Sequence, residues 1–137
     1  MKTIRDIMEP NVFWLPDDMP LKLAAEMLSK NQIGGAPACD RQGKIVGMIS
    51  KTDLADYYGG VNETRPVRDI MTPEVFSVAP DESVDRAVQL MAFEGIHRLL
   101  VLDGERLVGI VTTMDVLREM AGFPRRGRRV VAIAPPA

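Results

Sequence analysis

The chain has 137 residues and a mass of 15.1 kDa, with 46% apolar and 26% charged residues; this is one domain or two very small ones with enough apolar content to bury a core, which excludes a multidomain enzyme, a disordered chain and a fibrous one. Lys and Arg number 17 against 19 Asp and Glu, a net charge of −2, so there is no global electrostatic case for nucleic-acid binding. A single cysteine, Cys39, and a single histidine, His97, exclude an intrachain disulfide, a CxxC motif and a His-rich metal site, and leave any Ser/His/Asp triad only His97 as its base.

In chain order, the first recognisable segment is Arg5-Asp6-Ile7-Met8-Glu9-Pro10-Asn11-Val12-Phe13, which returns as Arg68-Asp69-Ile70-Met71-Thr72-Pro73-Glu74-Val75-Phe76 with seven identities in nine positions. Such a repeat sets the architecture. Val12–Leu15 is a short apolar run of strand length followed by the helix-start signal Pro16-Asp17. Leu21, Ala24, Ala25 and Leu28 then fall at i, i+3, i+4 and i+7, which predicts a helix with one buried face, ending near Gly34. Ala36–Cys39 reads as a buried strand, Arg41-Gln42-Gly43 as a hairpin turn, Ile45–Ser50 as the return strand and Asp53–Tyr58 as a short second helix. The second copy reads the same way. It has a strand Val75–Val78, a helix bearing Val84, Ala87, Val88 and Met91 and closed by Gly95, strands Leu99–Leu102 and Leu107–Thr112 about Asp103-Gly104, and a helix Asp115–Met120 ending near Gly122.

The predicted fold class is therefore α+β, two pseudo-symmetric β-α-β-β-α repeats. The expected boundaries are 1–60 for repeat 1, 61–66 for a polar linker, 67–121 for repeat 2 and 122–137 for a basic C-terminal tail. A unit of about 60 residues alone buries only about 60% of its surface, so the copies are expected to pack together. No apolar run approaches the ~18 residues of a membrane span, and Asp6 and Glu9 interrupt the region where a signal peptide needs an apolar stretch. A cytoplasmic protein with no membrane association is the expectation.

Two copies of β-α-β-β-α, each opening on Asp-Ile-Met-x-Pro and carrying Gly47-Met48-Ile49-Ser50-Lys51-Thr52-Asp53 or Gly109-Ile110-Val111-Thr112-Thr113-Met114-Asp115, with Gly95-Ile96-His97-Arg98-Leu99 in the second, resemble a tandem cystathionine β-synthase (CBS) domain pair. The resemblance spans nearly all of residues 1–121. It implies a non-catalytic, energy-sensing regulatory module that binds an adenosyl nucleotide (AMP, ADP, ATP or S-adenosylmethionine) in clefts between the repeats, signals by a packing change to a separate protein target, and associates as a homodimer. It implies no metal and no cofactor.

The residue chemistry supports such a site. A strand ending in Ser50 or Thr112 delivers a hydroxyl to the first turn of a helix, where backbone N–H groups and the dipole attract an anion. Asp53 and Asp115, one turn on, are placed to accept hydrogen bonds from ribose hydroxyls. The same [ST]-x-x-[DE] spacing is also a capping box that binds nothing. Where the second repeat has His97-Arg98, the first has Gly34-Gly35, so only the second site has a guanidinium suited to phosphate, and Lys51 is the nearest cation of the first. The resemblance pairs Val12 and Phe13 with Ile110 to wall the second site, and Val75 and Phe76 with Met48 to wall the first; as apolar strand residues all six are equally candidates for core. Cys39 reads as a small buried hydrophobe and the nine methionines mostly as core filler.

The tail from Gly122 holds Arg125, Arg126, Arg128 and Arg129 and no acidic residue, leaving 13 basic against 19 acidic elsewhere. Three functions stay open: a ligand-sensing regulator, a ligand-free dimerisation scaffold in which the motifs only cap helices, and a nucleic-acid partner acting through the arginine arm; an enzyme is discounted, since the chain lacks convergent acid, base or nucleophile residues.

Overall fold

The computed structural model describes residues 2–57 and 63–123. The elements run α1 (Ile4–Ile7), β1 (Leu15–Pro16), α2 (Leu21–Lys30), β2 (Gly35–Cys39), β3 (Ile45–Ser50), α3 (Lys51–Tyr57), one 3-10 turn (Val67–Asp69), β4 (Ser77–Val78), α4 (Val84–Glu94), β5 (Arg98–Asp103), β6 (Arg106–Thr112) and α5 (Thr113–Ala121). They build two three-stranded sheets, β1-β2-β3 and β4-β5-β6. In each, the first strand pairs parallel with the second and the second antiparallel with the third. The fold is the α+β repeat expected from the sequence. Even the bulges match: the hairpin register slips between Ala38 and Cys39 in one sheet and between Val101 and Leu102 in the other.

Several boundaries differ from the periodicity reading. The opening strands shorten to two residues each, Leu15–Pro16 and Ser77–Val78. Helix α2 stops at Lys30 and not near Gly34, because the Asn31 side chain donates to the Met27 carbonyl (2.8 Å) and Gln32 takes the left-handed conformation (φ 55°). Val88, placed on the buried face of α4 by its spacing, is exposed; Ala87 and Met91 form that face. Helix α1 was not foreseen. Thr3 and Asp6 close a capping box on it, with the Thr3 N–H donating to Asp6 Oδ2 at 2.9 Å.

Contacts divide the described residues into two compact units, one of residues 2–12 and 76–123 and the other of residues 13–57 and 63–75. They are called here the Thr112 unit and the Ser50 unit. The sequence repeats are linear, but the units interleave, since each opening Asp-Ile-Met segment belongs with the helix and sheet of the other copy. Backbone bonds Ile4 N–H to Glu82 O and Arg5 N–H to Pro80 O (both 2.9 Å) are repeated 63 residues along by Val67 to Met19 and Arg68 to Asp17 (both 2.8 Å). Each helix start thus finds partners for its flanking backbone groups in the other repeat's segment.

Each unit has its own core. In the Ser50 unit Leu15, Leu21, Leu28 and Ile49 are fully buried with Phe13, Ala24 and Val67. In the Thr112 unit Ile4, Leu99, Val101 and Val111 pack with Ala87 and Met91. Each fully buried Leu, Ile or Val contributes about 1.5–3 kcal/mol. Cys39 is buried as a small hydrophobe, and its thiol is pushed up to about 11 by that burial and by the nearby Asp40 and Asp17. No helix among the described residues is long and apolar enough to cross a membrane.

Candidate functional site

The two motif copies sit at the same place in each unit, where the last strand of the sheet turns into a helix. In the Thr112 unit, β6 runs out at Thr112 and α5 begins at Thr113, whose N–H donates to the His97 carbonyl (3.0 Å). Arg98 lies directly across the ladder from Thr112. In the Ser50 unit, the Lys51 N–H donates to the Gly34 carbonyl (2.8 Å), and Gly35 lies across from Ser50. The expected equivalence of His97-Arg98 with Gly34-Gly35 is thus a register fact, and it places a guanidinium-bearing residue beside one motif and a bare backbone beside the other.

The hydroxyl and carboxylate of each motif are turned onto each other. The Thr112 hydroxyl donates to Asp115 Oδ2 (3.0 Å), which also accepts the Thr112 N–H (2.8 Å), and Thr112 Oγ1 accepts the Asp115 N–H (3.3 Å). Ser50 and Asp53 repeat the pattern at 2.9, 3.0 and 3.1 Å. A hydroxyl whose proton is held by a carboxylate is not a donor to phosphate, so in this arrangement neither Ser50 nor Thr112 offers the hydroxyl donor read for it. The second oxygen of Asp115 lies 3.7 Å from Arg118 Nη1. Asp115 is only 6% exposed, whereas Asp53 is half-buried. The counterpart of Arg118 on α3 is Asp56, so the Thr112 motif has arginines at 98 and 118 where the Ser50 motif has Gly35 and Asp56. His97 is exposed, as is Lys51 at the first position of α3.

The wall residues are placed differently from the expectation. The residue bridged to Ile110 is Glu9, by Glu9 N–H to Ile110 O (2.8 Å) and Ile110 N–H to Glu9 O (3.0 Å). The residue bridged to Met48 is Thr72, by two bonds of 2.8 Å. Phe13 lies in the core of the Ser50 unit, and Phe76 packs against the core of the Thr112 unit and accepts the Leu100 N–H through its carbonyl (3.1 Å). Both aromatics therefore serve the sheet of their own repeat. Val12 is buried at the end of the segment that joins the Thr112 unit, and Val75 is half-buried at the end of the Ser50 unit.

The motif glycines are explained by the same bridges. A Cβ on Gly47 would lie 2.8 Å from the Thr72 carbonyl oxygen and 2.7 Å from Met71 Sδ; on Gly109 it would lie 3.1 Å from the Glu9 carbonyl oxygen and 2.6 Å from Met8 Sδ. The Met-x-Pro segment needs that space to run against the strand.

Three site residues were missed by sequence reasoning: Glu9, Thr72 and Arg118. Glu9 is 5% exposed, with its Oε1 accepting the Asn11 N–H (3.1 Å). Its signal was the one mismatch inside the repeated Asp-Ile-Met-x-Pro. Arg118 was signalled by its i, i+3 spacing from Asp115. Among the described residues no group of three or more His, Cys, Asp or Glu side chains could hold a metal ion. The arginine tail, beyond Phe123, and residues 58–62 of the linker region lie outside the described residues.

The CBS domain model matches residues 4–60 and 67–122. Over 139 aligned residues the chain is 29% identical to an inosine-5'-monophosphate dehydrogenase of Methanocaldococcus jannaschii; the alignment takes in 98% of this chain but only 27% of the relative's length. Among solved structures it is similar to the CBS domain pair of protein MJ0100 in complex with 5'-methylthioadenosine and S-adenosyl-L-methionine, at 30% identity and a TM-score of 0.81, covering 89% of this chain and 98% of that one. It is also similar to CBSX2 in complex with AMP, at 26% identity and a TM-score of 0.76, covering 89% and 98%.

Proposed function

The chain belongs to the CBS domain family, and from that premise we propose that it is a non-catalytic regulatory module that binds an adenosyl nucleotide at its strand-to-helix motifs. The observation that carries this reading is the placement of Arg98 across the ladder from Thr112, with Arg118 on the next turn beside Asp115. Arg98 across from the strand end and the Arg118 guanidinium beside Asp115 suit a ligand with phosphate at one end and ribose hydroxyls at the other. The Thr112 motif takes the phosphorylated ligand, AMP, ADP or ATP. The Ser50 motif, with Gly35 and Asp56 at the matching positions, takes a ligand with no phosphate, of the methylthioadenosine or S-adenosylmethionine kind. The complexes of the similar MJ0100 pair and of CBSX2 support the adenosyl class. Binding alters packing in a homodimer and so a contact with a separate protein target; that requires the ligand to favour one of two states.

A thermal-shift series with AMP, ADP, ATP, S-adenosylmethionine and methylthioadenosine tests the reading. A ligand at 100 times its Kd stabilises by about 2.7 kcal/mol. Arg98→Ala is expected to weaken AMP about 10- to 150-fold, the worth of a charge-assisted hydrogen bond of about 1.5–3 kcal/mol, and to leave methylthioadenosine unchanged. Equal loss for both ligands would overturn the assignment of phosphate to Arg98.

One observation favours a second reading. The closed boxes at Ser50–Asp53 and Thr112–Asp115 have the geometry of the Thr3–Asp6 box at the start of α1. If no adenosyl compound shifts the melting of the wild type while Asp115→Ala still lowers it, the motifs cap helices and the chain is a dimerisation scaffold.

A further inference from the structure

We propose that Glu9 selects the base of the nucleotide held at the Thr112 motif: its carboxylate accepts a hydrogen bond from the exocyclic amino group of adenine. The inference rests on the adenosyl reading above and adds to it the residue that sets the preference for a 6-amino purine.

Glu9 belongs to the Thr112 unit and exchanges both backbone bonds with Ile110. Residues paired in that way stand directly opposite each other and send their side chains to one face. Ile110 pairs in turn with Leu100 on β5, and two residues along β6 Thr112 pairs with Arg98. By the alternation of a strand all of these share the face of Glu9. It is the face away from the core of the unit, which takes the intervening Leu99, Val101 and Val111. One surface thus carries a carboxylate at its edge, a strip of two buried aliphatic side chains, Ile110 and Leu100, and then the motif threonine and Arg98. Arg98 is two strands and two residues from Glu9, about 12 Å along the sheet, a separation suited to a ligand with its base at one end and its phosphate at the other.

The fold does not require an acid at this bridge. Thr72 makes the same pair of backbone bonds to Met48 in the Ser50 unit, with an exposed side chain. Glu9 is instead buried; Oε1 accepts the Asn11 N–H, and Oε2 accepts no hydrogen bond from the described residues. A buried carboxylate so thinly partnered is costly unless a donor completes it. A carboxylate only accepts, so the ligand edge that meets it must donate, and the Ile110–Leu100 strip suits a flat apolar ring. Adenine supplies the N6 amino donor. Guanine offers two adjacent donors, N1–H and the N2 amino group, which call for both carboxylate oxygens, and one of these is engaged by Asn11. A 6-oxo purine would set an acceptor against the carboxylate.

Isothermal titration of the full chain with AMP, with purine riboside 5'-monophosphate, which is AMP without its 6-amino group, and with GMP tests this. The wild type is expected to bind AMP about 10- to 150-fold tighter than the analogue, the range of a hydrogen bond to a charged group. Glu9→Gln, which keeps an acceptor without the charge, is expected to reduce that ratio to about 2- to 10-fold, and Glu9→Met, of similar size with no such acceptor, to bring it near unity. A purely structural Glu9 would weaken both ligands together and leave the ratio unchanged. If Glu9→Met fails to fold, Glu9→Thr gives the same readout with the residue type that the Ser50 unit carries at its bridge. A wild type that binds AMP and the analogue alike, a ratio that survives Glu9→Met or Glu9→Thr, or tighter binding of GMP than of AMP would each overturn the proposal. AMP binding that Arg98→Ala weakens but that shows no dependence on the 6-amino group overturns only the role of Glu9, whereas a wild type that binds no adenosyl compound overturns the ligand reading itself.

Discussion

The Thr112 and Ser50 units are built on one plan and differ in what they present. Residues that agree between them sit where the chain has no freedom: Ala24 and Ala87 fully buried beneath their helices, Gly47 and Gly109 under a crossing backbone, and Asp53 and Asp115 closing a helix start. Residues that differ face outward or toward the motif, with Gly35 against Arg98, Asp56 against Arg118, Thr72 against Glu9, and Thr52 and Ala55 against Met114 and Leu117. The comparison separates what the fold demands of a repeat from what each copy is used for. The shared set maintains the sheet, the bridge and the cap; the divergent set gives the Thr112 unit its cations and its apolar face.

The glycines give the largest expected effect and the sharpest contrast between the units. Gly47→Ala forces a Cβ to 2.8 Å from a backbone oxygen, which moves only with the segment, whereas the worst overlap for Gly109→Ala, 2.6 Å, is with the flexible Met8 side chain and the carbonyl oxygen stands off at 3.1 Å. Overpacking of this kind costs about 1–3 kcal/mol, and we expect Gly47→Ala at the upper end and Gly109→Ala at the lower in urea unfolding. Equal losses would mean that the Thr72 and Glu9 bridges yield alike. Next come the caps: Asp53→Ala and Asp115→Ala are each expected to cost about 0.5–2 kcal/mol. Asp115 is the costlier because it is buried and its loss also leaves Arg118 without that carboxylate. Urea midpoints of the two variants measure this, and a larger loss at Asp53 would reverse the ranking.

The repeat, the α+β class, the hairpins and the motif helices were legible in the sequence because apolar periodicity and turn residues record burial directly. The equivalence of His97-Arg98 with Gly34-Gly35 was legible through the offset of about 63 residues, whereas the register that sets Arg98 opposite Thr112 was not, because an offset between copies does not fix strand pairing within one. Other features were hidden for physical reasons. The exchange of opening segments is a matter of tertiary backbone pairing, through groups every residue carries, so no side chain announces it. For the same reason Glu9 and Thr72, and not Val12 and Val75, bridge the motifs. The engagement of each motif hydroxyl by its own aspartate was visible as an alternative, but spacing alone does not distinguish a capped helix from a receptive one. Val88 shows the opposite error: apolar spacing was read as burial, when in this unit it marks an outer face.

A smaller effect isolates one unit. Cys39 and Trp14, the only cysteine and the only tryptophan of the chain, both belong to the Ser50 unit, so thiol labelling and indole fluorescence report on it alone. The Cys39 thiol is raised from 9.0 to about 11 by burial, and the folded state therefore favours the neutral form. That contribution to stability is fully present below pH 9 and is lost as pH rises through about 11. At pH 8, labelling with an aromatic disulfide reagent is expected to proceed only as fast as the Ser50 unit opens; rapid stoichiometric labelling of the folded chain would contradict the burial.

The smallest effect belongs to Asp6, and it calibrates the larger ones. Its carboxylate is held below the ordinary 3.8 chiefly by the Thr3 backbone N–H, with the Thr3 hydroxyl adding to it. A carboxylate with a depressed folded-state pKa stabilises above its unfolded value, and that contribution is lost as pH falls through the folded pKa. Asp6→Asn is expected to lower stability slightly at pH 7 and to flatten its fall below pH 4, read as urea midpoints across pH 2–7. Thr3–Asp6 shares the box geometry of the two motifs but is exposed and lies outside them, so its variant measures what capping alone is worth. Any stability loss or ligand-dependent change for Asp115→Ala beyond that measure is then attributable to burial and to Arg118 beside it, while a matching loss with no ligand effect would reduce the Thr112 motif to a helix cap.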